Sequence, residues 1–175
     1  FLVNPRLQRH FCIFAIGFPS AASLLQIYQT FLDGHLQHFK PEFQSLSSKL
    51  IMAALGIQKS VCEMFLKTPL NFHYEFHILH ISNIFQGLLV AKPDRFQVPA
   101  KFITLWLHES ERTYGDRLVS AEDIKKFQNL LVAQSKKQFP TLGFSKFFAS
   151  ENPVPLVFCH FCDGVDDVMY DQALT

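Results

Sequence analysis

Residues able to do chemistry are few, and most fall short of a complete site. His73, His77 and His80 sit at i, i+4 and i+7. On one helix face that spacing could hold zinc or copper through imidazole nitrogens. No acidic or cysteine ligand accompanies the trio, and Phe72, Phe76 and Ile84 crowd it, so the amphipathic edge of a helix is the better reading. Cys159-His160-Phe161-Cys162 supplies half of a structural zinc site, with no second Cys/His pair to complete four ligands. Adjacent residues of an extended run point to opposite faces, so Cys159 and His160 do not form a nucleophile–base pair either. His108-Glu109 opens a His-Glu-x-x-His pattern, but Arg112 stands where the second histidine belongs. Glu109 and Arg112 are close enough on a helix to pair. Asp163, Asp166, Asp167 and Asp171 miss the alternate ligand positions of a calcium loop. No Gly-x-x-x-x-Gly-Lys-Ser/Thr loop occurs to cradle a phosphate. The sequence therefore predicts no metal site and no nucleotide hydrolysis by this chain alone.

The elements that would position these residues are mostly helical. Phe11 to Phe18 is a nearly continuous apolar run closed by Gly17 and Pro19, the pattern of a strand buried on both faces. Such a strand needs partners on both edges, which the rest of the chain does not offer. With Phe1 rather than Met at the start, this predicts a piece of a larger body that resists folding alone. After Pro19, Leu24, Ile27, Tyr28, Phe31 and Leu32 recur at helical spacing, with Ser20 or Ser23 as the cap and Gly34 near the end. Pro41 starts a helix carrying Phe43, Leu46, Leu50, Ala54, Ile57, Val61 and Phe65, stopped by Pro69. Further helices are expected over 77–90, from Pro99 through Tyr114, and from Ser120 to about Lys137. A short helix falls within 139–149. Beyond Pro153 and Pro155, Leu156 to Phe161 reads as extended.

Composition narrows the function further. Hydrophobic residues are 49% and charged residues 18% of the 175, with 20 phenylalanines. That charge is below the roughly 25% of ordinary soluble domains. So many rings predict that some meet a neighbouring body. Net charge is +1, without a basic stripe, which argues against nucleic acid as a partner. No apolar run approaches the ~20 residues of a membrane span. Cys12, Cys62, Cys159 and Cys162 lie in apolar settings, which predicts buried thiols in a reducing compartment.

Four stretches carry a family resemblance. They are Asn4-Pro5-Arg6-Leu7-Gln8-Arg9-His10-Phe11, Ser82-Asn83-Ile84-Phe85-Gln86-Gly87, Leu105-Trp106-Leu107-His108-Glu109-Ser110-Glu111-Arg112-Thr113-Tyr114-Gly115-Asp116-Arg117, and Phe158-Cys159-His160-Phe161. In this order and spacing the chain resembles axonemal dynein heavy chains, at the end of the third AAA+ module, its helical lid and the lead-in to the fourth. The resemblance implies a mainly α fold: the last strand of an AAA+ large domain over 1–19, a helical lid over 20–150 and an extended connector over 151–175. It implies that Arg9, with Arg6 second, reaches the nucleotide of the neighbouring module as an arginine finger does, a contact worth about 10³–10⁵ in rate where fully used. The site faced would be the second module's, regarded in dyneins as binding nucleotide without hydrolysing it, which makes the role structural or regulatory.

The lid departs from the family at one telling place. Relatives carry Asn-Leu-Arg-Asp ahead of the Ser-Asn stretch, and that arginine senses the bound nucleotide. Here the positions are His77, Ile78, Leu79 and His80, and Leu79 has no hydrogen-bond donor to offer a phosphate. The resemblance further implies ATP or ADP with magnesium in the parent motor. It implies neighbouring AAA+ modules, dynein intermediate and light chains and microtubules as partners, and the axoneme of cilia or flagella within the cytoskeleton as location. His108, Glu109 and Arg112 are expected to pack the lid against its neighbour. Two other readings are a non-enzymatic dynein-like remnant, motivated by Leu79, and a His-rich metal-binding helical protein.

Overall fold

The computed structural model describes residues 3–140, 142–148, 154, 156–159 and, for the backbone alone, 171–172. Its frame is helical. A short turn of helix, α1 (Pro5–Gln8), opens on Pro5 at its first position, and Asn4 accepts the Arg6 N–H at 2.9 Å. The expected strand over 11–18 does not form. A strand exists only where a neighbouring backbone takes up its N–H and C=O groups, and no described residue pairs with this segment. Its apolar side chains on both alternations, Ile13, Phe14, Ile16 and Phe18, are exposed, Ile16 to 94%. The expected surplus of unpacked phenylalanines is therefore concentrated in this segment, with Phe31 and Phe72 beyond it.

Helix α2 (Ala21–Leu36) begins where Ser20 accepts the Ser23 N–H at 3.1 Å, satisfying a first-turn donor. Leu24, Tyr28, Leu32 and Leu36, spaced by four, form its buried stripe. Gly34 does not end it. No glycine among the described residues takes a positive φ, and burial of Leu36 holds the last turn. The long helix expected from Pro41 is broken at Ser45 into α3 (Pro41–Gln44) and α4 (Leu46–Met64), where the Ser45 hydroxyl donates back to the Glu42 carbonyl. The longer piece ends before Pro69. The remaining helices are α5 (Ile78–Leu88), α6 (Pro99–Tyr114), α7 (Ala121–Gln138) and the short α8 (Ser145–Phe148). A two-residue strand β1 (Phe158–Cys159) pairs antiparallel with β2 (Asp171–Gln172).

Helix α4 is the hub. It packs on α2 and α7, while α5 lies along α6. Leu50, Ile51, Ala54, Ile57 and Val61 of α4 are fully buried or nearly so, as are Leu105, Trp106 and Tyr114 of α6. Tyr114 donates its buried hydroxyl to Gln58 Oε1, joining α6 to α4, and burial pushes its ionisation well above the ordinary range. Tyr28 shares a hydrogen bond of 2.9 Å with Ser82 and stacks on Phe85 at 4.8 Å, joining α2 to α5. Tyr74 donates to Asp123 and accepts the Val119 N–H, which ties the loop after α4 to the start of α7. Two thiols depart from expectation: Cys12 and Cys62 are exposed. Cys12 lies in the unpaired segment, and Cys62 is on the outer side of α4, its thiol 3.3 Å from the Phe76 carbonyl.

Candidate functional site

The polar chemistry concentrates where α5 and α6 run together. Glu109, one residue past the partly buried His108, points inward and is 1% exposed. Arg112 donates to Glu109 Oε2 from Nη2 at 2.8 Å and from Nε at 3.2 Å. The carboxylate lies directly against Gly87 of α5. A Cβ at that glycine would sit 2.3 Å from Glu109 Cδ and Oε2. The absence of a side chain at 87 thus makes room for the buried charge. The sequence had offered the pairing of Glu109 with Arg112; the glycine opposite was the missed part, and an isolated Gly inside a helical pattern was its only signal.

His108 is partly buried and holds the C-terminal segment. Its Nδ1 lies 3.1 Å from the Leu156 carbonyl, and its ring lies 5.6 Å from that of Phe158. His108 and Glu109 thus each make contacts within the chain, about 100° apart around α6.

The histidine trio is not on one face. Helix α5 starts at Ile78, so His73 precedes it in a non-helical turn. His77 and His80 stack at 4.4 Å around the helix start. His80 Nδ1 accepts the His77 N–H at 3.0 Å, the role that Glu or Gln plays in a capping box. Among the described residues no group of three His, Cys, Asp or Glu is placed to hold a metal. His160, Cys162, Asp163, Asp166 and Asp167 lie outside the described residues, and of Asp171 only the backbone is described.

Leu79, the second residue of α5, is 60% exposed. Arg6 and Arg9 are exposed at the far N-terminal end, where Arg9 Nε donates to His10 Nε2 at 3.3 Å. The structure brings neither arginine into the α5–α6 cluster.

Burial tunes several ionisable groups. His35, which bonds the Ala91 carbonyl at 3.0 Å, and His108 are each held below the ordinary histidine value of 6.5 by burial, against the raising effect of their backbone bonds. His80 is lowered by burial first, against the raising effect of its bond to the His77 backbone, with the charges of Arg117 and His77 adding to the lowering. A histidine depressed in the fold stabilises it above the unfolded value and loses that contribution as pH falls. Glu111, raised by burial and by Asp116, has the opposite sign: its penalty grows as pH rises through the carboxylate range. We expect the melting temperature to fall between pH 7.5 and pH 5.5, and to fall more steeply in Glu111→Gln, which removes the opposing group. A melt indifferent to pH across this window contradicts the assignment.

An α-helical bundle of this order, with an apolar segment ahead of it and an extended segment behind, is the small helical domain of an AAA+ module. Residues 50–149 match the AAA+ lid domain family, and the chain belongs to that family, in the form found in axonemal dynein heavy chains. It is 45% identical over 98% of its length to the dynein alpha chain of the flagellar outer arm of Chlamydomonas reinhardtii. It is 42% identical over 97% to dynein axonemal heavy chain 17 of Mus musculus, and 39% identical over 98% to the ciliary dynein beta chain of Tripneustes gratilla. It spans 4% of the length of each.

Proposed function

We propose that this chain is the lid and linker between the third and fourth AAA+ modules of a dynein heavy chain, whose motor uses ATP to move along microtubules in cilia or flagella. The observation that carries this is the pairing of a lid bundle with the exposed apolar segment 11–18 ahead of it. Alternating side chains that are apolar on both faces suit a central strand, and a sheet in the preceding module would take them up. Arg9 and Arg6, just before that segment, are then set at a module edge, where a guanidinium can reach phosphates held next door. Nucleotide and magnesium belong to the neighbouring large domains. Light and intermediate chains and microtubules are partners of the whole motor.

Leu79 gives the test. In the complete heavy chain, Leu79→Arg adds one charge-assisted donor at the start of α5. Such a bond is worth about 1.5–3 kcal/mol, so ADP affinity at the third module rises about tenfold or more. An unchanged affinity sinks the idea that this position senses nucleotide. The same exposed leucine favours a second reading, a dynein-like remnant that no longer serves a working ring. An uninterrupted reading frame in the transcript, running into phosphate-binding loops on both sides, removes that reading; a nearby stop codon supports it.

A further inference from the structure

A cavity of about 560 Å³ opens in the groove between α5 and α6. Its wall is made by His80, Asn83, Gln86 and Gly87 of α5, by Val90 just after it, and by Arg112, Thr113 and Arg117 at the end of α6 and the turn that follows. None of the lining residues is acidic. Every polar side chain among them has an N–H or O–H to donate. We propose that this groove is a binding site for a phosphate-class anion, with Arg117 as its principal charge.

Several observations support the assignment. His80 is 1% exposed yet lines the cavity, so its ring is fixed in place. Its Nδ1 is committed to the His77 backbone, 3.0 Å from the amide nitrogen and 2.9 Å from the carbonyl oxygen, which leaves Nε2 as the ring nitrogen not held by that backbone. Arg117 acts on His80 as a nearby positive charge, and the nearest carboxylate to the wall, Glu109 behind Gly87, is already bonded to Arg112. Arg112 is fixed by Glu109 at 2.8 Å and contributes a positioned guanidinium whose charge is largely balanced. Asn83 and Gln86 stand one turn apart on the facing helix, which places amide donors opposite the guanidiniums. Tetrahedral oxyanions match such a set of convergent donors, and chloride, with no directional acceptor geometry, matches it less well. The site is separate from Leu79, which is not part of its wall, and it stands even if the lid assignment fails.

The experiment is calorimetric titration of the full 175-residue chain with inorganic phosphate, pyrophosphate and ADP at constant ionic strength. Saturable pyrophosphate binding is expected, weakened at least about fivefold in Arg117→Gln by loss of a charge-assisted bond. Gln86→Glu, a surface change that puts negative charge on the rim, weakens it similarly. Lys136→Gln, on the last turn of α7, leaves it unchanged. Equal affinity for ADP and pyrophosphate assigns recognition to phosphate oxygens whatever carries them; much tighter ADP assigns a nucleotide as the source. Absence of saturable binding up to about 10 mM, the weak limit of a specific site, overturns the proposal. So does binding that both cavity variants leave intact while circular dichroism shows them folded.

Discussion

Gly87→Ala is expected to destabilise the chain by about 2–4 kcal/mol, against the usual direction of such a change. Replacing a mid-helix glycine by alanine ordinarily stabilises by roughly 0.5–1 kcal/mol, because the unfolded chain loses freedom. Here the new methyl would lie 2.3 Å from the Glu109 carboxylate and 2.8 Å from its Cγ. Glu109 cannot swing to water, since it is buried and gripped by Arg112. Two outcomes remain: α5 moves off α6, or the carboxylate leaves its guanidinium. Overpacking of the first kind costs about 1–3 kcal/mol, and leaving the buried carboxylate without its half-exposed guanidinium partner costs about 1–3 kcal/mol or somewhat more. For a chain of this size the melting temperature should drop by roughly 5–15 °C. The double variant Gly87→Ala, Glu109→Ala removes the obstructing group, so it should be more stable than the two single effects added together, by about 1 kcal/mol or more. Strict additivity, or a rise in melting temperature for Gly87→Ala alone, would show that the helices do not meet through this contact.

That pair illustrates what a linear sequence hides. Helix α2 was legible because its stripe repeats every four residues and Ser20 precedes it; Pro41 and Pro99 marked two other helix starts for the same local reason. The break at Ser45 was not, because a serine bonding back to Glu42 leaves the apolar period nearly intact. The run Phe11–Phe18 was correctly apolar on both faces, yet a strand is a relation between segments, and its partners are not among the described residues. Glu109 and Arg112 were readable as a neighbouring pair on one helix. Their opposition to Gly87 depends on the crossing of α5 and α6, which no spacing rule encodes. Spacing sets His80 with His73 and His77 on the amphipathic edge of one helix, but the helix starts at Ile78, and the ring closes a cap instead. The dynein motifs conveyed family and order, while the geometry decided what His108, Glu109 and Arg112 touch.

Phe102→Ala should cost still more. This ring on α6 is fully buried and meets three others: Phe39 at 5.9 Å, Phe43 at 6.0 Å and Phe96 at 6.2 Å, all edge-on. Those partners come from the turn after α2, from α3 and from the turn before α6, so one side chain joins segments far apart in sequence. Truncating a buried phenylalanine costs about 3–5 kcal/mol in transfer and cavity terms. The edge contacts add to this, since each such pair contributes about 0.5–1.5 kcal/mol beyond its area. A domain stabilised by only about 5–15 kcal/mol would then unfold near ambient temperature or lose cooperativity. Phe102→Leu separates volume from aromatic contact. It keeps most of the apolar bulk, so it should retain a cooperative melt with a smaller loss, near the 1.5 kcal/mol typical of well-tolerated core swaps. Equal damage from both variants would mean that ring geometry, rather than filled volume, holds α2, α3 and α6 together. Little damage from either would mean that the phenylalanine cluster is a consequence of the bundle and not a cause of it.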